Sequence, residues 1–160
     1  MDSSIDEQER QALITSLRLL TSTSKSRKAL EKRLASKGYL PDVVKRTLDR
    51  LEGEGLMNDK VLAQSLFQSF VTQRPSGRKR IAFELKRRGI TSDVTQEVLE
   101  KYSAEEERRI ACELATLKWE RWRNLEITRR RKKTYDFLVR RGFDFSLARE
   151  VTDGLQHGKT

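Results

Sequence analysis

The sequence contains one cysteine, Cys112, and one histidine, His157, in 160 residues. One thiol forms no internal disulfide. Without a histidine close in sequence it builds neither a zinc site nor a thiol–imidazole nucleophile. A lone cysteine on a helix reads as a small buried hydrophobe, and such sparing use of thiols suits a reducing cytoplasm. Proline and glycine are also scarce, at 2 and 8 residues, while Leu, Glu, Lys, Arg and Ala are abundant. That balance excludes a loop-rich or β-rich chain and points to helices. No apolar run reaches the roughly 18 residues needed to span a bilayer. The opening "MDSSIDEQER" is too acidic for a secretory signal or a mitochondrial presequence.

Nucleotide loops are missing as well. Neither G-x-x-x-x-G-K-[ST] nor G-x-G-x-x-G occurs, and "PSGRKR" has a glycine beside cations without the required spacing. The carboxylates are interleaved with Lys and Arg at helical spacing, as in "EEERR" and "WERWRNLE", which is the pattern of surface ion pairs. No catalytic residue, metal ligand, cofactor or small-molecule substrate is therefore assigned, and the expectation is a protein that is not an enzyme.

What the chain does have is charge. Hydrophobic and charged residues each make up 36%, mean hydropathy is −0.74, the net charge is +10 and the pI is about 10.0. So polar a chain cannot fill one thick core, but it can fill several thin ones built from a few helices each. The excess of cations points to a polyanionic partner, nucleic acid or an acidic protein surface, rather than lipid.

A repeat supplies those thin cores. Gly38, Gly89 and Gly142 are spaced by 51 and 53 residues. Four residues before each stands a leucine (Leu34, Leu85, Leu138), immediately before it a cation (Lys37, Arg88, Arg141), and immediately after it a large apolar residue (Tyr39, Ile90, Phe143). Each site reads as a helix, a glycine C-cap, a tight turn and a second helix, with Thr91, Asp144 or the Leu40-Pro41 pair starting the second helix. The second helices carry apolar stripes: Val43, Val44, Thr47, Leu48 and Leu51; Val94, Val98 and Leu99; Leu147, Ala148 and Val151. A third helix follows twice. One begins at Asn58 with Val61, Leu62, Leu66, Phe67, Phe70 and Val71 as its stripe. The other begins at a Ser103–Glu106 capping box with Ile110, Leu114 and Leu117, and is expected to run on through Trp119, Trp122 and Leu125. The expected organisation is all-α: an acidic segment and leading helix (1–24, helical from about 7 to 21), repeats at 25–73, 76–124 and 127–156, the last shortened, and a tail at 157–160. Stacked helical repeats imply an elongated, curved array.

Two basic runs stand out. Residues 74–88 carry seven cations and one Glu, and residues 118–133 eight cations and two Glu. Blocks of like charge repel unless something neutralises them, and the run Arg129–Lys133 opposes the dipole of the helix it starts. The scattered cations of the first repeat read as a solvated face. Trp119 and Trp122 could stack on bases, but their i, i+3 spacing favours packing. A helix-turn-helix reading fits the turn glycine. It fails on charge, because the would-be recognition helix "TSDVTQEVLE" is acidic.

The ordered set resembles the RecX family. It comprises the repeated helix, K/R-G-aromatic or Ile, helix unit and "LEGEGLMNDKVLAQSLFQSFVTQRPSGRKRI", in which Asn58, Asp59, Ala63, Arg74, Gly77, Ile81, Leu85, Arg88 and Gly89 match the family's central pattern. The resemblance spans about residues 10 to 155. It departs at Leu62, where the family usually has an aromatic, and at Lys118-Trp119, where paired lysines are expected. The resemblance implies three tandem three-helix repeats and a non-enzymatic modulator of the RecA recombinase. Such a protein binds the RecA filament on single-stranded DNA and restrains ATP hydrolysis, strand exchange and the co-protease activity behind the SOS response, and so DNA repair and recombination. The alternative is a general DNA-binding protein acting without RecA. Under either reading the candidate contact residues are Arg74, Arg78, Lys79, Arg80, Lys86, Arg87, Arg88, Arg129, Arg130, Arg131, Lys132, Lys133, Arg140 and Arg141. The expected partners are RecA and single-stranded DNA, and the expected state is a cytoplasmic monomer without membrane contact.

Overall fold

The computed structural model describes residues 2–156 and 158; His157 and most of the assigned tail lie outside the described residues. The described residues form helices and no strand: α1 (Asp2–Ser22), α2 (Arg27–Ala35), α3 (Pro41–Gly53), α4 (Asp59–Thr72), α5 (Arg78–Arg87), α6 (Ser92–Leu99), α7 (Ala104–Arg121), α8 (Ile127–Arg140) and α9 (Phe145–Gln156). The leading helix is longer than expected, beginning at Asp2 rather than near residue 7.

The three glycines do the work their spacing assigns to them. Gly38, Gly89 and Gly142 have φ of 86, 85 and 83°, a left-handed region that resists any Cβ. Each closes a Schellman motif. The glycine N–H donates to the carbonyl three residues back (Ala35, Lys86, Val139), and the next N–H donates to the leucine carbonyl (Leu34, Leu85, Leu138). Those leucines are 0% exposed, and Ile90 and Phe143 fold into the interior beside them. Removing one such leucine side chain costs about 2–5 kcal/mol. A fourth motif of the same kind, unforeseen in the sequence, ends α3 at Gly55.

The chain divides into two compact units, Met1–Ser65 with Leu85–Val94, and Leu66–Glu84 with Thr95–Thr160. In the first, α1, α2 and α3 pack pairwise, and Leu30, Leu34, Val44, Leu48, Leu51 and Met57 form the core, with Leu13, Leu19, Leu20 and Tyr39 against it. In the second, α7, α8 and α9 pack pairwise, and Phe67 meets Tyr102 edge to face at 5.6 Å. The stripe on α3 is buried as its spacing predicts. The stripes on α6 and α9 are also buried, at Val98, Leu99, Ala148 and Val151, but those on α4 and α7 are buried only in part, at Phe67 and Ile110. Val61 and Leu117 are 63% and 69% exposed, while Ala111, Ala115 and Trp119 are buried on α7. On a helix that packs against both α8 and α9, the small side chains are the buried ones and the larger Leu117 stays outside. Nor does α7 continue through Leu125: it ends at Arg121, where the Trp122 N–H turns back to the carbonyls of Lys118 and Trp119.

The turns that end α5 and α8 seat on the starts of α2 and α5. Within the first unit the buried Ser26 hydroxyl donates to the Arg88 carbonyl at 2.5 Å and accepts from Ala29 N–H, capping α2. Within the second unit Gly77 N–H donates to Arg141 O at 2.9 Å and Lys79 N–H to Gly142 O at 3.2 Å. A Cβ on Gly77 would lie 2.3 Å from Phe143 N, so only glycine lets the two backbones approach. Carboxylates at the starts of α4 and α7 complete the pattern: Asp59 accepts from Arg27 N–H, and Glu107 from Arg78 N–H, both at 2.8 Å.

Candidate basic interface

The structure separates the cations singled out by the sequence into those engaged by the protein and those left to solvent. Arg78 is caged. Its guanidinium donates to Leu99 O at 2.7 Å and to Tyr102 O, stacks over the Tyr102 ring, and its Nε lies 3.4 Å from Glu107. Burial among these groups pushes the Tyr102 phenol well above its ordinary value. Arg130 lies 4.1 Å over the Trp119 ring, donates to Trp119 O at 2.8 Å and reaches Glu120. Arg131 donates twice to Asp153, at 2.9 and 2.6 Å. Lys79 pairs with Asp144 at 2.7 Å and lies over Phe145. Arg80 reaches Arg140 O and Glu84, Arg141 lies over Phe137, and Lys133 over Trp122. Arg87 is exposed and also interacts within the protein. By contrast Arg74, Lys86, Arg88, Arg129, Lys132 and Arg140 are exposed, and their side chains make no hydrogen bond, ion pair or ring contact among the described residues.

The adverse charge at the start of α8 has a local remedy. Glu126 is the N-cap: its carboxylate accepts from the Thr128 hydroxyl and from the N–H groups of Thr128 and Arg129, which together hold its pKa below the ordinary carboxylate value. The anion favours the helix dipole that Arg129–Lys133 oppose and offsets part of their charge. Cys112 is half-buried rather than fully enclosed, and burial raises its thiol pKa.

Three concavities collect candidate residues. Arg80, Arg140 and Arg141 surround Phe137 in one, and Lys118 lies 5.0 Å from the same ring. Arg131 and Lys132 line a groove with Tyr135, Arg149 and Asp153. Arg87 and Arg88 line a cleft with Lys25 and Arg33. The sequence reading missed Lys25, Arg33, Lys118 and Arg149. Lys118 opens the second basic run itself; Lys25, Arg33 and Arg149 lie outside both runs, and only the fold brings them beside those cations. A legible signal was also missed. An arginine stands eleven residues before each turn glycine (Arg27, Arg78, Arg131), and each ties its helix to the next one, Arg27 through Asp49 and Glu52.

Helices ended by glycine Schellman turns, seated on one another's starts and studded with unpaired cations, define an all-α protein of tandem three-helix domains. Models of the first, second and third three-helix domains of RecX match residues 12–51, 58–99 and 105–152, ranges that run over α1–α3, α4–α6 and α7–α9. The chain is 29% identical to the regulatory protein RecX of Prosthecochloris aestuarii, over 94% of this chain and 97% of that one. It is 37% identical to the regulatory protein RecX of Mycobacterium avium, over 89% and 83%. The crystal structure of RecX from Lactobacillus salivarius shares the fold, with a TM-score of 0.83 over 95% of this chain and 99% of that chain, at 20% identity. The chain belongs to the RecX family of regulatory proteins.

Proposed function

We propose that the protein is a negative regulator of the RecA recombinase, binding the RecA filament on single-stranded DNA and lowering its ATP hydrolysis, strand exchange and co-protease activity. Through these it modulates DNA repair, recombination and the SOS response. The observation that carries the reading, beside membership of a regulatory family, is the set of six exposed cations that the protein leaves unpaired: Arg74, Lys86, Arg88, Arg129, Lys132 and Arg140. Some cations elsewhere are matched to carboxylates, as Arg46 to Glu9, Arg50 to Glu54, Arg108 to Glu150 and Arg109 to Glu113. Cations without internal partners keep their full charge for acidic protein surface or DNA phosphate. The test follows RecA ATP hydrolysis on single-stranded DNA as this protein is added. Inhibition well below one copy per RecA supports the reading, and undiminished hydrolysis at that ratio overturns it.

A further inference from the structure

The cleft beside the α1–α2 connection lies wholly within the first compact unit, and joins Lys25 and Arg33, which read in sequence as part of a solvated face, to Arg87 and Arg88 of the first basic run. Its walls come from Leu19 on α1, Ser22 to Ser26 in the connection, Ala29 and Arg33 on α2, Leu62 on α4, and Arg87 and Arg88 at the end of α5. Its volume is about 570 Å³, within the range of small-ligand sites. Four cations line it, Lys25, Arg33, Arg87 and Arg88, and no carboxylate does. Arg27, two positions from Lys25, is by contrast held by both Asp49 and Glu52. Lys25, Arg33 and Arg88 have no side-chain partner among the described residues.

The grouping is built, not accidental crowding of flexible side chains. The Ser26 hydroxyl holds the Arg88 carbonyl at 2.5 Å, fixing the end of α5 against the start of α2. A Cβ on Gly89 would come within 2.7 Å of that hydroxyl, so the glycine is what allows the approach. The start of α2 is not itself the anion holder, because Arg27 N–H is taken by Asp59 and Ala29 N–H by Ser26. The hydroxyls of Thr23 and Ser24 remain in the lining as donors, that of Ser22 being given to Leu19 O, and Leu19, Ala29 and Leu62 supply an apolar wall.

We infer that this cleft binds phosphoryl anions, with the phosphates on Lys25, Arg33 and Arg88 and the sugar or base against Leu19 and Leu62. Several converging cations need a ligand that brings several negative charges close together. Adjacent phosphates do so, and their oxygens also accept from hydroxyls. Isolated carboxylates bring one charge each. The source of the phosphates is a nucleic-acid strand or a free nucleotide. The inference stands apart from the filament reading, because its test contains no RecA.

The test is fluorescence anisotropy of a labelled single-stranded oligothymidine, with ATP, inorganic polyphosphate and poly-glutamate as competitors. Lys25→Glu with Arg33→Glu is expected to weaken oligonucleotide binding tenfold or more and to flatten the salt dependence by about 1.4 in slope, two phosphate contacts' worth for a single strand. The charge-matched control, Lys37→Glu with Lys45→Glu, changes two exposed cations outside the cleft and is expected to stay within threefold. If the double reversal unfolds, Lys25→Ala with Arg33→Ala makes the same comparison. Displacement by ATP assigns the site to free nucleotide, and displacement only by strands assigns it to nucleic acid. Equal losses in both doubles, no loss in either, or poly-glutamate competing as well as polyphosphate of equal charge overturns the inference.

Discussion

Arg131 and Asp153 stand eleven residues on either side of Gly142, and the guanidinium donates to the carboxylate at 2.9 and 2.6 Å, clasping α8 to α9. Arg27 and Asp49 form the same pair about Gly38, at 2.6 Å. In the middle repeat Arg78 takes the arginine's place, but it donates to the Leu99 and Tyr102 carbonyls, since the residue at the acid's position, Glu100, is exposed. One architectural contact is thus met twice by charge and once by backbone. Both ion pairs are partly exposed, so each contributes about 0.2–1 kcal/mol. A double-mutant cycle of Arg131→Ala and Asp153→Ala, read by urea unfolding, is expected to show coupling in that range. Arg78→Ala is expected to cost more than Arg131→Ala, because it removes the charged donor from the Leu99 and Tyr102 carbonyls and the guanidinium from the Tyr102 ring, while Glu107 keeps only the residue-78 N–H.

The turn glycines are not equivalent. A Cβ at Gly38 meets nothing within 4 Å, whereas at Gly142 it would lie 2.4 Å from the Arg80 backbone nitrogen. Gly38→Ala pays only for the left-handed backbone, about 1–2 kcal/mol. Gly142→Ala pays that and must also push α5 off the turn. Thermal denaturation is expected to show a drop of a few degrees for the first and a markedly larger one for the second. Equal drops would mean that the close approach carries no weight.

Charge reversal is expected to separate interface from framework. Arg129→Glu with Lys132→Glu changes two unpaired, exposed side chains, so helicity by circular dichroism should persist while inhibition of RecA ATP hydrolysis weakens about tenfold or more. Arg130→Glu instead strips a stacked guanidinium from Trp119 and should lower the unfolding midpoint. If the first pair leaves inhibition intact in a folded protein, these residues are not the contact.

Acid stability offers a fourth test. The Lys79 ammonium, followed by the N–H and hydroxyl of Ser146, holds Asp144 well below its ordinary 3.8. A depressed folded-state value means stability that is present above the unfolded pKa and is lost as pH falls through the folded one. The wild type is therefore expected to lose urea resistance below about pH 4 more steeply than Asp144→Asn, which lacks this carboxylate. Asp59 acts in the opposite sense. Burial raises its pKa, so its ionised form is the disfavoured one, and Asp59→Asn should not reproduce the effect.

Local sequence alone determined the all-helical character and the three evenly spaced Schellman turns, because a glycine at positive φ, a leucine four residues before it and an apolar residue after it interact within one turn of helix. The spacing of Val43, Val44, Thr47, Leu48 and Leu51 likewise fixed the buried face of α3. Tertiary structure decided the rest. Periodicity offered Leu117 and Val61 as core, yet which stripe is buried depends on the neighbour, and α8 and α9 select Ala111 and Ala115 on α7. Composition counted fourteen candidate cations alike. Only the fold shows Arg78, Arg130 and Arg131 spent on carbonyls, an indole and a carboxylate, and Arg129, Lys132 and Arg140 left to solvent. It also gathers Lys25 and Arg33 with Arg88, far apart in sequence, into one cleft. A turn needs only its own few residues, but the availability of a charge depends on every group that packs around it.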